Sequence, residues 1–211
     1  MTAVSLYGWP QIPAVSEAKA KNDQNLIDKL VSQCYKTGLN VSLMFLAFYN
    51  GLAHPILELF HGVAFLPGYF PFIMLSTTTT LIGLSFLISS MLIGVGEAKK
   101  AFLYISALII GSFLFTPLFI FVFSIISGDS LVLMAGPLGL LVPVLIVLPF
   151  LFKNLPKFTS LSLKFYLSVL IKGYISVAIA NIISYIIENY YYPYNTFWNG
   201  IPTGFLIVNV I

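Results

Sequence analysis

Long apolar runs dominate this sequence and leave it few options outside a membrane. They cover residues 40–66, 69–95, 101–127, 131–152 and 161–187. A helix needs about 20 apolar residues to cross a hydrocarbon core about 30 Å thick. With a mean hydropathy of +0.97 and only 8% charged residues, the chain also lacks the polar surface that a soluble domain requires. We therefore predict an all-α fold, a polytopic membrane bundle of five transmembrane helices.

The distribution of lysines predicts how this bundle is oriented. The chain contains no arginine, so its ten basic residues are all lysines. If all five runs cross the membrane, nine of them fall on one face: Lys19, Lys21, Lys29, Lys36, Lys99, Lys100, Lys153, Lys157 and Lys164. The positive-inside rule then places the N-terminus in the cytoplasm. The run 40–66 is interrupted by polar residues and a proline, so a bent amphipathic helix at the membrane interface remains an alternative for it.

Three segments follow from this topology. Residues 1–38 are expected to form a cytoplasmic N-terminal segment with an amphipathic helix, in which Ser16 is the N-cap and Gly38 the stop. The apolar stripe of this helix consists of Leu26, Ile27, Leu30, Val31 and Cys34. The helix either rests on the bilayer and its own bundle or docks on a partner subunit. Residues 39–190 form the transmembrane bundle, and residues 191–211 an aromatic tail on the outer face.

Several function classes are disfavoured by composition. Without arginine the chain cannot build a bidentate fork for phosphate or carboxylate, so we expect no nucleic-acid partner. Cys34 is the single cysteine, which excludes an intrachain disulfide and a multi-cysteine metal site. The sequence contains no Gly-rich phosphate loop, no GxSxG motif and no HExxH motif. The sequence assigns no catalytic residue and favours a protein without catalytic activity of its own.

A polar ladder is the strongest local signal for chemistry. Asn50, His54, Glu58 and His61 recur at steps of four, four and three residues, which places them on one helical face. His54, Glu58 and His61 are candidates for a proton relay or for haem or metal ligation. The alternative is a kinked interfacial segment with ordinary hydrogen-bonded histidines. Both histidines share one helix and cannot hold one haem from opposite sides, so no cofactor is predicted and haem is left only as an open possibility.

Lys172 is an intramembrane charge, 12 residues into the last run. That position is about 18 Å from the predicted edge, too deep for comfortable snorkelling. Ser168, Ser176 and Ala180 share its helical face and allow another helix to approach closely. We expect Lys172 inside the bundle, near His54 or Glu58. A structural pair is one interpretation, and proton or anion handling is the other.

Several segments resemble the Yip-domain family of five-span membrane proteins. They are Gly51-Leu-Ala-His-Pro-Ile-Leu-Glu-Leu-Phe60 with Leu66-Pro67, Gly94-Val-Gly-Glu-Ala-Lys-Lys-Ala-Phe102 with Pro117, and Lys153 to Leu170. The resemblance covers about residues 51–190. It departs from the family in one respect, because only the run 69–95 fits between the first two segments, where the family usually has two spans. The resemblance implies a cytoplasmic N-terminus and a role in membrane organisation or trafficking, and it supplies no catalytic residues.

The function predicted from these observations is a non-enzymatic membrane scaffold or accessory subunit. Its partners would be the lipid bilayer and other membrane protein subunits, or further copies of itself. One alternative is a subunit of a proton-coupled or redox complex of the respiratory type that uses His54, Glu58 and His61. A second alternative is a small transporter, because Pro137, Pro143 and Pro149 recur every six residues in the fourth run.

Overall fold

The computed structural model describes residues 8–62, 65, 68–127 and 129–191, and within these residues it is entirely helical, without strands. The α-helices are α1 (Gln11–Ala20), α2 (Gln24–Gly51), α3 (Ala53–His61), α4 (Tyr69–Gly94), α5 (Ala98–Ser127), α6 (Asp129–Asn154) and α7 (Leu163–Tyr191). A short 3₁₀ helix, Leu155–Lys157, follows α6. Four helices, α4 to α7, contain stretches long and apolar enough to cross a membrane, and the bent pair α2 and α3 makes a fifth if it counts as one span. The predicted all-α polytopic bundle is thus confirmed.

The helix α2 continues through the predicted boundary at residue 38. Its N-cap is Asp23, whose side chain accepts the N–H of Leu26 at 3.0 Å, and the helix extends over 28 residues from Gln24 to Gly51. Gly38 was expected to stop the helix, and this prediction is wrong. A Cβ at Gly38 would lie 2.6 Å from a methyl group of Leu87, so this glycine instead allows α2 to approach α4.

Ser16 was predicted as an N-cap, and this prediction is also wrong. It lies within α1, and its hydroxyl donates to the carbonyl of Gly94 at 3.0 Å. Val15 and Ala18, on the same helix, are buried. The helix α1 therefore packs on the C-terminal end of α4.

The run 40–66 is broken near its middle. The helices α2 and α3 meet at an angle of 68°. Pro55 occupies the third position of α3 and has no N–H to give to the carbonyl of Gly51, four residues earlier. That carbonyl accepts the hydroxyl of Ser184 on α7 at 3.4 Å instead. The bend lays α3 across the end of the bundle.

Side-chain contacts fix the direction of each helix. On α2, Gly38 packs against Leu87 and Asn50 accepts the hydroxyl of Ser76, so α2 and α4 are antiparallel. The hydroxyl of Tyr35 donates to the carbonyl of Tyr166 at 3.0 Å. Together with the contact between Gly51 and Ser184, this makes α2 and α7 parallel. These contacts make α4 antiparallel to α2 and α7 parallel to α2, as five alternating spans require.

The buried core is centred on α4, which contacts α1, α2, α5 and α6. Leu84, Leu87, Ile88 and Leu92 of this helix are almost completely buried. By contrast, Phe102 and Phe113 of α5 are 73% and 75% exposed. An apolar surface of that kind is normal against lipid and rare against water.

Candidate functional site

The elements that carry nine of the ten lysines meet at one end of the bundle. This lysine-rich end consists of α1, the start of α2, the link between α4 and α5, and the connection from α6 to α7. Lys19 donates to the carbonyl of Val95, and the ammoniums of Lys36 and Lys100 each lie 5.3 Å from the centre of a phenylalanine ring. The lysine pattern of the sequence thus corresponds to a single face of the folded bundle.

A groove runs between α2 and α7, the first long helix of the chain and the last. This α2–α7 groove has a volume of about 360 Å³ and is lined by Asn40, Val41, Leu43, Met44, Ala47, Gly173, Ser176, Val177 and Ala180. Gly173 leaves room for Leu43, whose methyl group would collide with any Cβ at that position. Small residues that bring two backbones this close are typical of helix contacts in membranes.

Lys172 lies beside this groove and is exposed, so its predicted position inside the bundle is wrong. The seam of α7 that packs on α2 contains Tyr166, Gly173, Val177 and Ala180, and Lys172 is one residue outside it. Ser176, one turn further along, donates its hydroxyl to the carbonyl of Lys172 at 3.0 Å. Lys172 therefore lies at the edge of the groove, on the same face of α7 as Ser176.

The expected pairing of Lys172 with His54 or Glu58 is also wrong. Gly173 is level with Leu43 and Ser184 is level with Gly51, so about 18 Å of α7 separates Lys172 from the end of α2, where α3 begins. Within the described part of the chain, Lys172 forms no ion pair. The prediction failed because it took the run 40–66 as straight, whereas the bend places α3 across the far end of the bundle.

The polar ladder divides at the same bend. Asn50 remains on α2 and binds Ser76. On α3, Nδ1 of His54 lies 3.9 Å from Oε2 of Glu58, with 47% and 34% of these side chains exposed. The ring of His61 lies instead against Phe65, at a centroid distance of 5.6 Å. The structure thus brings together two of the three candidate residues.

Metal ligation finds no geometric support among the described residues, which contain no group of three or more His, Cys, Asp or Glu side chains able to share an ion.

The prolines of the fourth run do not interrupt its helix. Pro137, Pro143 and Pro149 all lie within the continuous helix α6. The predicted aromatic tail lies almost wholly beyond residue 191, outside the described residues.

Sequence reasoning missed the contribution of α2 to the groove. Asn40 and Met44 line it, yet their positions in the sequence were taken as the ordinary start of a span. The spacing of Gly173, Ser176 and Ala180 was a usable signal, because small residues at successive turns indicate a close helical neighbour. It did not say which helix that neighbour would be.

Comparisons with models of protein families, with curated proteins and with solved structures find no match for this chain.

Proposed function

We propose that this chain is a multi-pass membrane subunit without catalytic activity, which binds another membrane protein through the α2–α7 groove and Lys172. The observation that carries this proposal is the exposed side chain of Lys172 beside a largely apolar groove, within a helix long and apolar enough to cross a membrane. The end of the bundle rich in lysine would then face the cytoplasm, as the positive-inside rule requires.

The cost of leaving Lys172 in lipid supports this proposal. It lies nine residues beyond Leu163, the first residue of α7, which is about 13.5 Å along the helix. A charge at the centre of a membrane helix costs about 2.5–3.5 kcal/mol on insertion scales. The neighbouring Ile171 and Ile175 are more than half exposed, so this part of α7 otherwise suits lipid. A carboxylate on a partner helix would offset the cost.

Charge complementarity favours a different protein over a second copy. Two copies that met symmetrically at this face would bring two Lys172 ammoniums together, and like charges repel. Glu58, the one acidic residue within the predicted spans, lies on α3 at the other end of the bundle. We therefore expect the partner to carry an Asp or Glu near the middle of a membrane helix. Membrane organisation or trafficking, which the Yip-domain resemblance implies, is one setting for such a subunit.

A photo-crosslinking amino acid at Ile175 in native membranes tests this proposal. We expect a cross-link to a helix of another protein that carries an intramembrane carboxylate. Lys172→Leu should abolish it, whereas Lys164→Leu, which removes an exposed lysine near the start of α7, should leave it intact. Cross-links only to lipid or to the same chain, or equal effects of the two substitutions, would contradict the proposal.

The contact between His54 and Glu58 is the observation that favours the second candidate, a proton-coupled or redox subunit. A carboxylate close to an imidazole can pass a proton along α3. A visible absorption spectrum of the purified complex tests the haem version, which predicts a Soret band that His54→Gln changes. For a proton relay without haem, His54→Gln should stop proton uptake in vesicles and leave assembly unaffected.

A further inference from the structure

A second cavity opens at the lysine-rich end, between α1, the start of α2 and the connection from α6 to α7. This headgroup cavity, as we name it, has a volume of about 480 Å³ and is lined by Lys19, Asn22, Gln24, Ile27, Val95, Lys157, Phe158, Thr159 and Ser160. Ligand sites in proteins usually have volumes of about 300–1,000 Å³. The floor is buried and formed by Ile27, Val95 and Thr159, whereas the two lysines are exposed at the rim.

The acidic groups near the headgroup cavity are already engaged by other residues. Glu17 accepts a hydrogen bond from Lys21 at 2.6 Å, and its pKa is lowered by that bond and by the charge of Lys21. The carboxylate of Asp23 caps α2. Asp28 accepts the backbone N–H of Ser160 at 2.9 Å. Asp23 and Asp28 accept hydrogen bonds from neutral donors and keep their negative charge, but within the described residues neither forms an ion pair with Lys19 or Lys157.

The two rim lysines are left with hydrogen-bond donors to spare. Lys19 gives one N–H to the carbonyl of Val95, which fixes its ammonium at the cavity and leaves two donors. Lys157 ends the 3₁₀ helix that carries Pro156 and forms no ion pair within the described residues. The result is a concave site whose rim carries two ammoniums that form no ion pair within the described residues.

We propose that this headgroup cavity binds a phosphate group carried by a small polyol, the chemistry of an anionic phospholipid headgroup. Lysine binds phosphate as a point charge, and the amide of Asn22 can add a further donor. The cavity lies where α4 and α6 end, at the level where lipid headgroups meet the bundle, and basic pockets between membrane helices commonly hold such groups. A soluble phosphate ester offers the same chemistry, and the experiment below separates the two sources.

The test uses the full-length protein purified in a neutral detergent. Retention of phosphatidylglycerol is measured by native mass spectrometry, with phosphatidylcholine as the neutral comparison, and binding of glycerol 3-phosphate is measured by calorimetry. Lys157→Gln removes a lysine from the rim. Lys153→Gln is the matched control, because this exposed lysine lies one turn earlier, at the end of α6, and does not line the cavity.

We expect Lys157→Gln to weaken retention of phosphatidylglycerol about tenfold, the effect of losing one charge-assisted hydrogen bond. Lys153→Gln should change it less than twofold. Binding of the lipid but not of glycerol 3-phosphate assigns the site to lipid, and binding of both assigns it to the phosphate group in general. Equal losses in the two variants would indicate nonspecific attraction to a positive surface and overturn the proposal. Failure of the unmodified protein to bind either probe would also overturn it.

Discussion

Replacing Gly139 with alanine should weaken the contact between α5 and α6, because Gly139 lies directly on the backbone of the neighbouring helix. A Cβ at residue 139 would lie 2.5 Å from the Cα of Thr116 and 2.8 Å from its Cβ. Carbon atoms pack at about 3.5–4.0 Å. A backbone atom cannot rotate away, so the two helices would have to separate by about 1 Å.

The expected loss of stability follows from the packing contacts that such a gap weakens. A separation of about 1 Å forfeits up to half of the attraction of each atomic contact around it, and overpacking of this kind typically costs about 1–3 kcal/mol. Gly136, one turn earlier on α6, is a matched control, because a Cβ there meets nothing within 4 Å. Both substitutions gain helix propensity, about 0.5–1 kcal/mol. Pro137 follows Gly136 and reduces this gain there, because a side chain before proline is disfavoured in the helical region, so the comparison gives a lower limit on the effect at Gly139. We therefore expect Gly139→Ala to be about 1–3 kcal/mol less stable than Gly136→Ala.

Reversible unfolding measures this difference. The protein in detergent is titrated with sodium dodecyl sulfate, and the loss of helical circular dichroism gives the free energy of unfolding of each variant. Substitutions without structural consequence usually change the free energy of unfolding by no more than about 0.5 kcal/mol. If the free energies of unfolding of the two variants differ by less than this, the close approach of α5 and α6 at Gly139 is refuted.

Two further predictions concern α2. Tyr35→Phe should lower the free energy of unfolding by about 1 kcal/mol, because it removes a buried hydrogen bond that joins α2 to the carbonyl of Tyr166 on α7; an unchanged value in the same titration would contradict this. Cys34 is buried and should label slowly, so topology is better tested with Gln33→Cys and His61→Cys in a Cys34→Ser background. These two exposed positions should react from opposite sides of the membrane, and labelling from the same side would show that α2 does not cross it.

The sequence predicted the helical class and the apolar runs that form α4 to α7 because that information is local. Each span has to contain about 20 apolar residues wherever it packs. The lysine pattern added the long-range information that α2 runs parallel to α7, since both helices must begin at the same lysine-rich face. The apolar stripe of the N-terminal segment was also correct in large part, because Ile27, Val31 and Cys34 are buried.

What the sequence could not supply was the identity of the neighbours. Glycine commonly ends a helix, and only the position of Gly38 against Leu87 shows that it is a packing residue. Lys172 was assigned to the interior because a charge in a span requires a partner, but that argument does not say whether the partner lies in the same chain. The sequence left a bent helix as an alternative for the run 40–66, but it could not give the 68° bend that separates His54 from Lys172.

The parallel pairing of α2 with α7 also determines the order in which the protein can be completed during synthesis. The hydrogen bond from Tyr35 to Tyr166 joins residues 131 positions apart, so the ribosome has to translate α7 before the second side of α2, opposite its contact with α4, is covered. Until then α4, α5 and α6 can assemble from sequential hairpins, while one side of α2 remains uncovered. A chain truncated before α7 should therefore insert into the membrane and still be recognised by quality-control proteases as incomplete.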